Sequence, residues 1–387
     1  MYSRRIAILI LLVMGIALFL PPSVAEPLER TAPITLSSPS YILIEARTGT
    51  VIFEKNADDK RPAASLNKLM SILLFMEAVE NDEHLLDATV LISNHAASAP
   101  GSTALLDANA TYRFEDLLRA CIVASGNDST VALAEYIAGS EESFVRMMNE
   151  RAAAMKLNST HFINCTGLTA DGQYTSARDI AIISAELSKY DLYYKFSSLW
   201  LSNITHPSGR VTDLTNTNRL VRFYEGCDGM KTGSTPEAKY CISASAQKDG
   251  MRLIAVILGA SSGQIRFDEA RSMLEYGLNT YKRVRISSAG ELTGCVIPVL
   301  RGDRDSIDIA AGKGLSMLLK AGEEKMLSVQ LHLPESITAP LEKGAEIGEI
   351  HVFLSDRLIA RLPAVLAAEA ALPGFINGFL RILDQWR

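Results

Sequence analysis

The chain of 387 residues is poor in the side chains that build cross-linked or metal-held scaffolds. It has five cysteines, Cys121, Cys165, Cys227, Cys241 and Cys295, an odd number with no C-x-x-C spacing. That argues against both a disulfide framework and a zinc site. If the segments around Cys227 and Cys241 form a hairpin about Pro236, Cys227 falls opposite residue 246 and not 241. Most of the cysteines then read as small buried apolar groups. His332 and His351 each stand alone in a strand-like segment and read as packed or solvated. No metal or organic cofactor is indicated.

Positive charge is also short. Lys and Arg number 38 against 44 Asp and Glu, a net charge of −6, which leaves no electrostatic footprint for nucleic acid. No apolar run is long enough to cross a bilayer. The longest, Ile6 to Leu20, is about 15 residues where roughly 20 are needed. Arg4 and Arg5 precede it and Ser23-Val24-Ala25 follows, so residues 1–25 read as a secretory signal cleaved after Ala25. Losing those two arginines and no acid takes the net charge from −6 to −8. The protein is then expected to work outside the cytoplasm, and residues 26–387 are enough for two domains with cores of their own.

Tyr41 to Ala46 and Thr50 to Glu54 read as strands joined by Arg47-Thr48-Gly49. A helix follows with Ser65 at its start and Leu66, Leu69, Met70, Leu73, Leu74 and Ala78 on one buried face. Phe114 to Ala124 and Ser129 to Ala138 read as helices broken at Gly126-Asn127-Asp128, which leaves Ser125 free to project into a cleft. Tyr240 to Ala246 and Met251 to Leu258 read as a hairpin turning at Asp249-Gly250. Strands on both sides of a helical block mean an α+β domain, not a repeating βαβ fold. From about residue 284 to 370 the pattern is that of a small β-rich domain. Over Phe375 to Arg387, Phe375, Ile376, Phe379, Leu380, Ile382, Leu383 and Trp386 gather on one side of a helical wheel. Such a helix is too short to span a bilayer and suited to lie on a membrane surface, with packing against the β-rich domain as the alternative.

Three short motifs carry chemistry: Ser65-Leu66-Asn67-Lys68, Ser125-Gly126-Asn127 and Lys231-Thr232-Gly233. Each alone is as well explained by helix caps and surface charge. In this order, at a helix start, an interhelical loop and a strand, they describe an acyl-transfer site with a serine nucleophile. Lys68, three residues after Ser65, lies one helical turn away and can take the serine proton if burial or nearby positive charge keeps its amine partly neutral. Lys231 is the candidate for that second charge. N–H groups at the helix start and at Ser234 are candidates for an oxyanion hole. Lys231 and Thr232 offer a cation and a hydroxyl for a substrate carboxylate, and Gly233 allows substrate backbone to come close. Ser125 can pass a proton to the leaving amine, and Asn127 can bond a substrate amide.

With these motifs, Tyr41 to Asn56 (YILIEARTGTVIFEKN), Phe162 to Leu168 (FINCTGL), Thr175 to Asp179 (TSARD), Asn216 to Leu220 (NTNRL) and Gly226 to Gly233 (GCDGMKTG) resemble the serine-type D-alanyl-D-alanine carboxypeptidases, the low-molecular-mass penicillin-binding proteins. The resemblance implies a penicillin-binding/β-lactamase-like domain, with a five-stranded antiparallel sheet flanked by helices and the site between a sheet edge and an all-helical lobe. It implies domains at 26–283, 284–370 and a membrane-anchor helix at 371–387. By the same token, Ser65 would attack the D-Ala-D-Ala bond of a peptidoglycan stem peptide, β-lactams would acylate that serine, and Arg266 would help hold the terminal carboxylate. Asn67 stands where the family usually has threonine, and Ser234 where a larger residue is common.

Three other readings remain open at this stage. A β-lactamase would need a deacylating glutamate, and the nearest E-x-x-L-N-like run, Ala154 to Asn158, has alanine there. An endopeptidase would use the same groups on peptide cross-links. A non-catalytic penicillin-binding wall protein would keep only the shape of the site.

Overall fold

The computed structural model describes residues 31–374. Residues 1–30, which include the segment expected to act as a secretory signal, and the amphipathic stretch 375–387 lie outside the described residues. Five strands, β1 (Ser40–Glu45), β2 (Val51–Lys55), β3 (Cys227–Thr235), β4 (Lys239–Lys248) and β5 (Met251–Ala260), form an antiparallel sheet in the order β2-β1-β5-β4-β3. Both faces are covered, and the central strands show why they lack a polar side. In β5, Ile254, Val256 and Leu258 enter the core shared with the helical lobe. Leu253, Ala255 and Ile257 enter a second core beneath helix Gly263–Thr280. Alternating side chains point to opposite faces, so a doubly covered strand must be apolar throughout.

The lobe is built on α1 (Lys68–Asn81), α2 (Phe114–Val123), α3 (Asn127–Ala138) and α4 (Glu141–Ala154), with α5 (Ala177–Leu187) between it and the sheet. The one-sided helix expected after Ser65 is instead enclosed all round: every residue from Lys68 to Met76 is buried. It is the central helix, packed against α5 on one side and against Phe144 of α4 on the other, whose ring stands 5.2 Å from that of Phe75.

The hairpin reading holds in detail. Asp249 and Gly250 take φ of +50° and +75° at the turn, and Cys227 pairs with Ala246. All five cysteines are free, four of them buried and Cys295 exposed.

After helix α6 (Gly263–Thr280) the chain is β-rich. Strands β6 (Tyr281–Ser287) and β9 (Leu315–Lys320) pair with each other. Strands β7 (Leu292–Leu300), β8 (Ser306–Ala311), β10 (Leu327–His332), β11 (Ile337–Thr338), β12 (Glu346–Leu354) and β13 (Arg357–Leu366) form a sheet in the order β10-β12-β13-β8-β7-β11. Its core of Ile297, Ile309, Ile350, Leu362 and Leu366 is separate from the other two. His332 and His351 are not isolated, because pairing of β10 with β12 stacks their rings 3.9 Å apart. Glu349 Oε2 lies 2.6 Å from His351 Nε2.

Candidate active site

Strand β3 is an edge of the sheet, and the chain segment that enters α1 lies against it. Ser65 is not the first residue of the α-helix. It sits in a 3-10 turn, Ala64–Asn67, just ahead of α1, with Ala64 at φ +50°. Gly233 faces this turn. A Cβ there would lie 2.8 Å from both Ser65 N and Ala63 O, so only glycine lets the strand come this near to the serine backbone. On the other side Gly167, at φ +84°, packs on Ala64. The turn is thus held between a strand edge and a loop.

Lys68 is fully buried, and its Nζ lies 3.1 Å from Ser65 Oγ and 2.7 Å from the carbonyl oxygen of Thr166. Burial lowers its pKa from 10.5 to about 8, against the opposing pull of Cys121, Cys165 and Asp128. The second charge expected from Lys231 is not the cause; desolvation is. Lys231 is itself buried, and its pKa is pushed down by burial first and then by the charge of Lys68. Its Nζ donates to the Thr232 carbonyl at 3.0 Å. Helix α1, which carries Lys68, packs against both α2 and α3, the two helices joined by the Ser125 loop.

Ser125 has φ +62° and is 3% exposed, and its Oγ has no hydrogen-bond partner. A buried hydroxyl without a partner is costly, and it leaves Ser125 Oγ with both a donor and an acceptor uncommitted. Asn127, the first residue of α3, donates from its backbone N to Ser102 O at 2.6 Å and from Nδ2 to Pro100 O, leaving Oδ1 unpartnered. Thr232 is buried and Ser234 is exposed at the open end of β3.

Arg266, from the first turn of α6, is not a solvated charge. Its Nη1 donates to Gly233 O at 3.0 Å and to Cys241 O at 3.3 Å, while the enclosed Nε has no partner. Burial lowers its pKa. It therefore clips the end of β3 and borders a cavity of about 950 Å³ lined also by Trp200, Arg219, Phe223 and Gln264.

Two supports have no role assigned from sequence. Asn164 Oδ1 accepts the N–H groups of Thr166 (3.2 Å) and Gly167 (2.7 Å), which fixes the carbonyl that receives Lys68. The Asn-x-Thr-Gly run is the signal for such a side-chain-held turn. Asn218 Nδ2 holds Gly229 O at 2.8 Å, two residues before Lys231, and its N–H is held by Asn216 Oδ1 at 2.9 Å. Among the described residues no group of three His, Cys, Asp or Glu is placed to hold a metal ion.

Comparison with known proteins gives the family of the chain. The profile of the D-alanyl-D-alanine carboxypeptidase family matches residues 27–262, and that of the penicillin-binding protein 5 C-terminal domain matches residues 281–371. D-alanyl-D-alanine carboxypeptidase DacF of Bacillus subtilis is 36% identical over 359 residues, 92% of each chain. DacC of Escherichia coli is 33% identical over 374 residues, 93% of this chain and 90% of its own. The solved penicillin-binding protein 5 of Haemophilus influenzae superposes with a TM-score of 0.78 at 30% identity, covering 88% of this chain and 99% of that one. With an enclosed lysine against Ser65, a strand edge packed on the serine turn and relatives that extend over both sheets, the chain belongs to the D-alanyl-D-alanine carboxypeptidase family of low-molecular-mass penicillin-binding proteins.

Proposed function

We propose that this protein is a serine DD-carboxypeptidase that removes the terminal D-alanine from peptidoglycan stem pentapeptides. The observation that carries the reading is the buried Lys68 amine within hydrogen-bonding distance of Ser65 Oγ. With its pKa near 8, roughly a tenth of Lys68 is neutral at pH 7. The neutral amine keeps its bond to Thr166 O and turns its lone pair to the serine.

Ser65 Oγ attacks the penultimate carbonyl as its proton passes to Lys68 Nζ. The new oxyanion is held by the N–H groups of Ser65 and Ser234. Lys231 and Thr232 receive the terminal carboxylate, with Arg266 behind the same strand end; arrival of the anion restores the charge that burial suppresses on Lys231. The C–N bond then breaks, Ser125 relays a proton to the leaving amine, and D-alanine departs. Asn127 bonds the amide of the acyl part. Water attacks the acyl-enzyme, gives its proton to the Lys68–Ser125 pair, and frees Ser65. β-Lactams, whose ring presents a similar acyl group beside a carboxylate, acylate Ser65 and block the site.

The enzyme is exported by the signal in residues 1–25 and held on the outer face of the cytoplasmic membrane by residues 371–387, with the β-rich domain at 284–370 as spacer for the catalytic domain at 26–283. Removing residues 374–387 then releases the protein from membranes; continued attachment would refute the anchor.

The test of activity is release of D-alanine from a pentapeptide ending in D-Ala-D-Ala by residues 26–387, with Ser65→Ala as control. Release that disappears in the variant is the expected result. No release by a protein that still takes labelled penicillin at Ser65 would refute the carboxypeptidase reading.

A further inference from the structure

The segment between residues 98 and 110 lies against the Ser125 loop on one side and against a hairpin of Leu201–Thr205 and Val211–Thr215 on the other. On the inner side, Asp128 of the Ser125-Gly126-Asn127-Asp128 run accepts the backbone N–H groups of Ala104 at 2.9 Å and Leu106 at 3.1 Å. Between those two residues stands Leu105, at φ +59° and 59% exposed. An exposed leucine in a left-handed conformation is not held there by its own packing. Its carbonyl is held from outside: Arg210 Nη2, at the hairpin tip, donates to Leu105 O at 2.6 Å and to Asp107 Oδ1 at 2.8 Å.

The arginine is in turn set by a buried histidine. His206 is 2% exposed, and its Nδ1 lies 2.7 Å from Tyr112 Oη and 3.1 Å from Arg210 Nη2. A guanidinium only donates, so Nδ1 is the acceptor and the ring proton sits on Nε2, 2.8 Å from Thr212 Oγ1. Burial and the Arg210 charge both disfavour a second proton on the ring. Tyr112 Oη also receives Asp107 N–H at 3.1 Å, which closes the ring of contacts. The same segment supplies Pro100 O and Ser102 O to Asn127.

We propose that Arg210 and His206 are positioning residues for the reaction: through Leu105, Asp107 and Asp128 they hold the loop that sets Ser125 and Asn127. They touch no reacting atom. They act because residues 104–106 are pinned between Arg210 and Asp128, and small displacements of a catalytic hydroxyl are magnified in rate. The inference rests on the assignment of Ser125 and Asn127 to the site.

The test compares wild type, Arg210→Ala and Arg210→Lys, with Asp107→Asn as a second break in the same clamp. Each is measured for the rate of Ser65 acylation by labelled penicillin, for kcat and KM of D-alanine release, and for thermal unfolding. Arg210 is 40% exposed at the side chain, so its truncation opens no cavity in the core, and thermal unfolding reads any loss of stability. The expected result is a fall in kcat and acylation rate of about tenfold in Arg210→Ala, smaller in Asp107→Asn, with KM nearly unchanged and partial recovery in Arg210→Lys. Unchanged acylation and kcat in Arg210→Ala, or losses that only follow the unfolded fraction, would overturn it. Should wild type release no D-alanine, the carboxypeptidase reading fails by itself, while the acylation rates still decide the role of the clamp.

Discussion

Lys68 Nζ lies 2.7 Å from the carbonyl oxygen of Thr166, a residue 98 positions further along the chain. That bond holds the amine in place while desolvation lowers its pKa, and the two effects oppose each other. A carbonyl dipole favours the ammonium, as do Cys121, Cys165 and Asp128, whereas burial, the largest influence, brings the pKa down to about 8.

Acylation of Ser65 should therefore follow a single base-form titration. The rate of penicillin acylation in the free enzyme is expected to rise as pH passes through about 8 and to level off above it, because only the neutral amine accepts the serine proton. Stopped-flow measurement between pH 6 and 9.5 checks this. A rate independent of pH in that range would remove Lys68 as the base.

The same burial lowers stability. Lys68 binds its proton less tightly folded, near 8, than unfolded, at 10.5, so the handicap is fully present below pH 8 and disappears as pH rises to 10.5. It amounts to about 3 kcal/mol, an order-of-magnitude figure from the shift of 10.5 to about 8. Lys68→Met should abolish acylation while melting no lower than wild type at pH 7, after the loss of two hydrogen bonds of about 1 kcal/mol each. Its stability should also lack the wild-type gain between pH 8 and 10.5. Calorimetry over that range reads both effects.

Gly233→Ala introduces a methyl group 2.8 Å from Ser65 N and Ala63 O. Neither neighbour is a flexible side-chain end, so the edge strand must move away from the serine turn. The expected outcome is a fall in kcat/KM of about a hundredfold, with Lys68 still buried and the protein still folded by circular dichroism. Activity within twofold of wild type would show that the close approach is not used.

Glu269 ties residues ahead of β1 to α6. One of its carboxylate oxygens accepts from Ser37 N and, at 2.7 Å, from Ser37 Oγ, and Ser38 N lies 3.3 Å away. Glu269→Ala should lower stability by about 1–3 kcal/mol by removing its bonds to Ser37 and leaving the N–H of the buried Ser38 unpaired, and expose residues 31–38 to proteases, while D-alanine release is unchanged. Limited proteolysis and an activity assay test the two halves separately.

The local features were legible because they depend on neighbours in sequence. The Asp249-Gly250 turn and the opposition of Cys227 to residue 246 follow from turn chemistry and strand periodicity. So does the presence of a break beside Ser125, although it falls at residues 124–126 and not at Gly126-Asn127-Asp128, since Asn127 and Asp128 already belong to α3. The helix after Ser65 was legible as a helix but not as the enclosed centre of the lobe, since its apolar stripe is the same whether one face or all of it is covered. His332 and His351, 19 positions apart, become stacked only through the register of β10 and β12.

By itself, the sequence determined the kind of chemistry: a serine and a lysine three apart, a second serine at a helix break and a K-T-G strand, in an order that one acyl-transfer site explains. The tertiary structure alone decided which strand is the free edge, that Lys68 is enclosed and held by Thr166, that burial and not Lys231 tunes it, and that Arg210 reaches the loop under Ser125. The reason is physical. Spacing along a helix fixes which side chains can meet one turn apart, but desolvation and the direction of a carbonyl are set by segments that are distant in the chain and come together only when the sheet and the lobe pack.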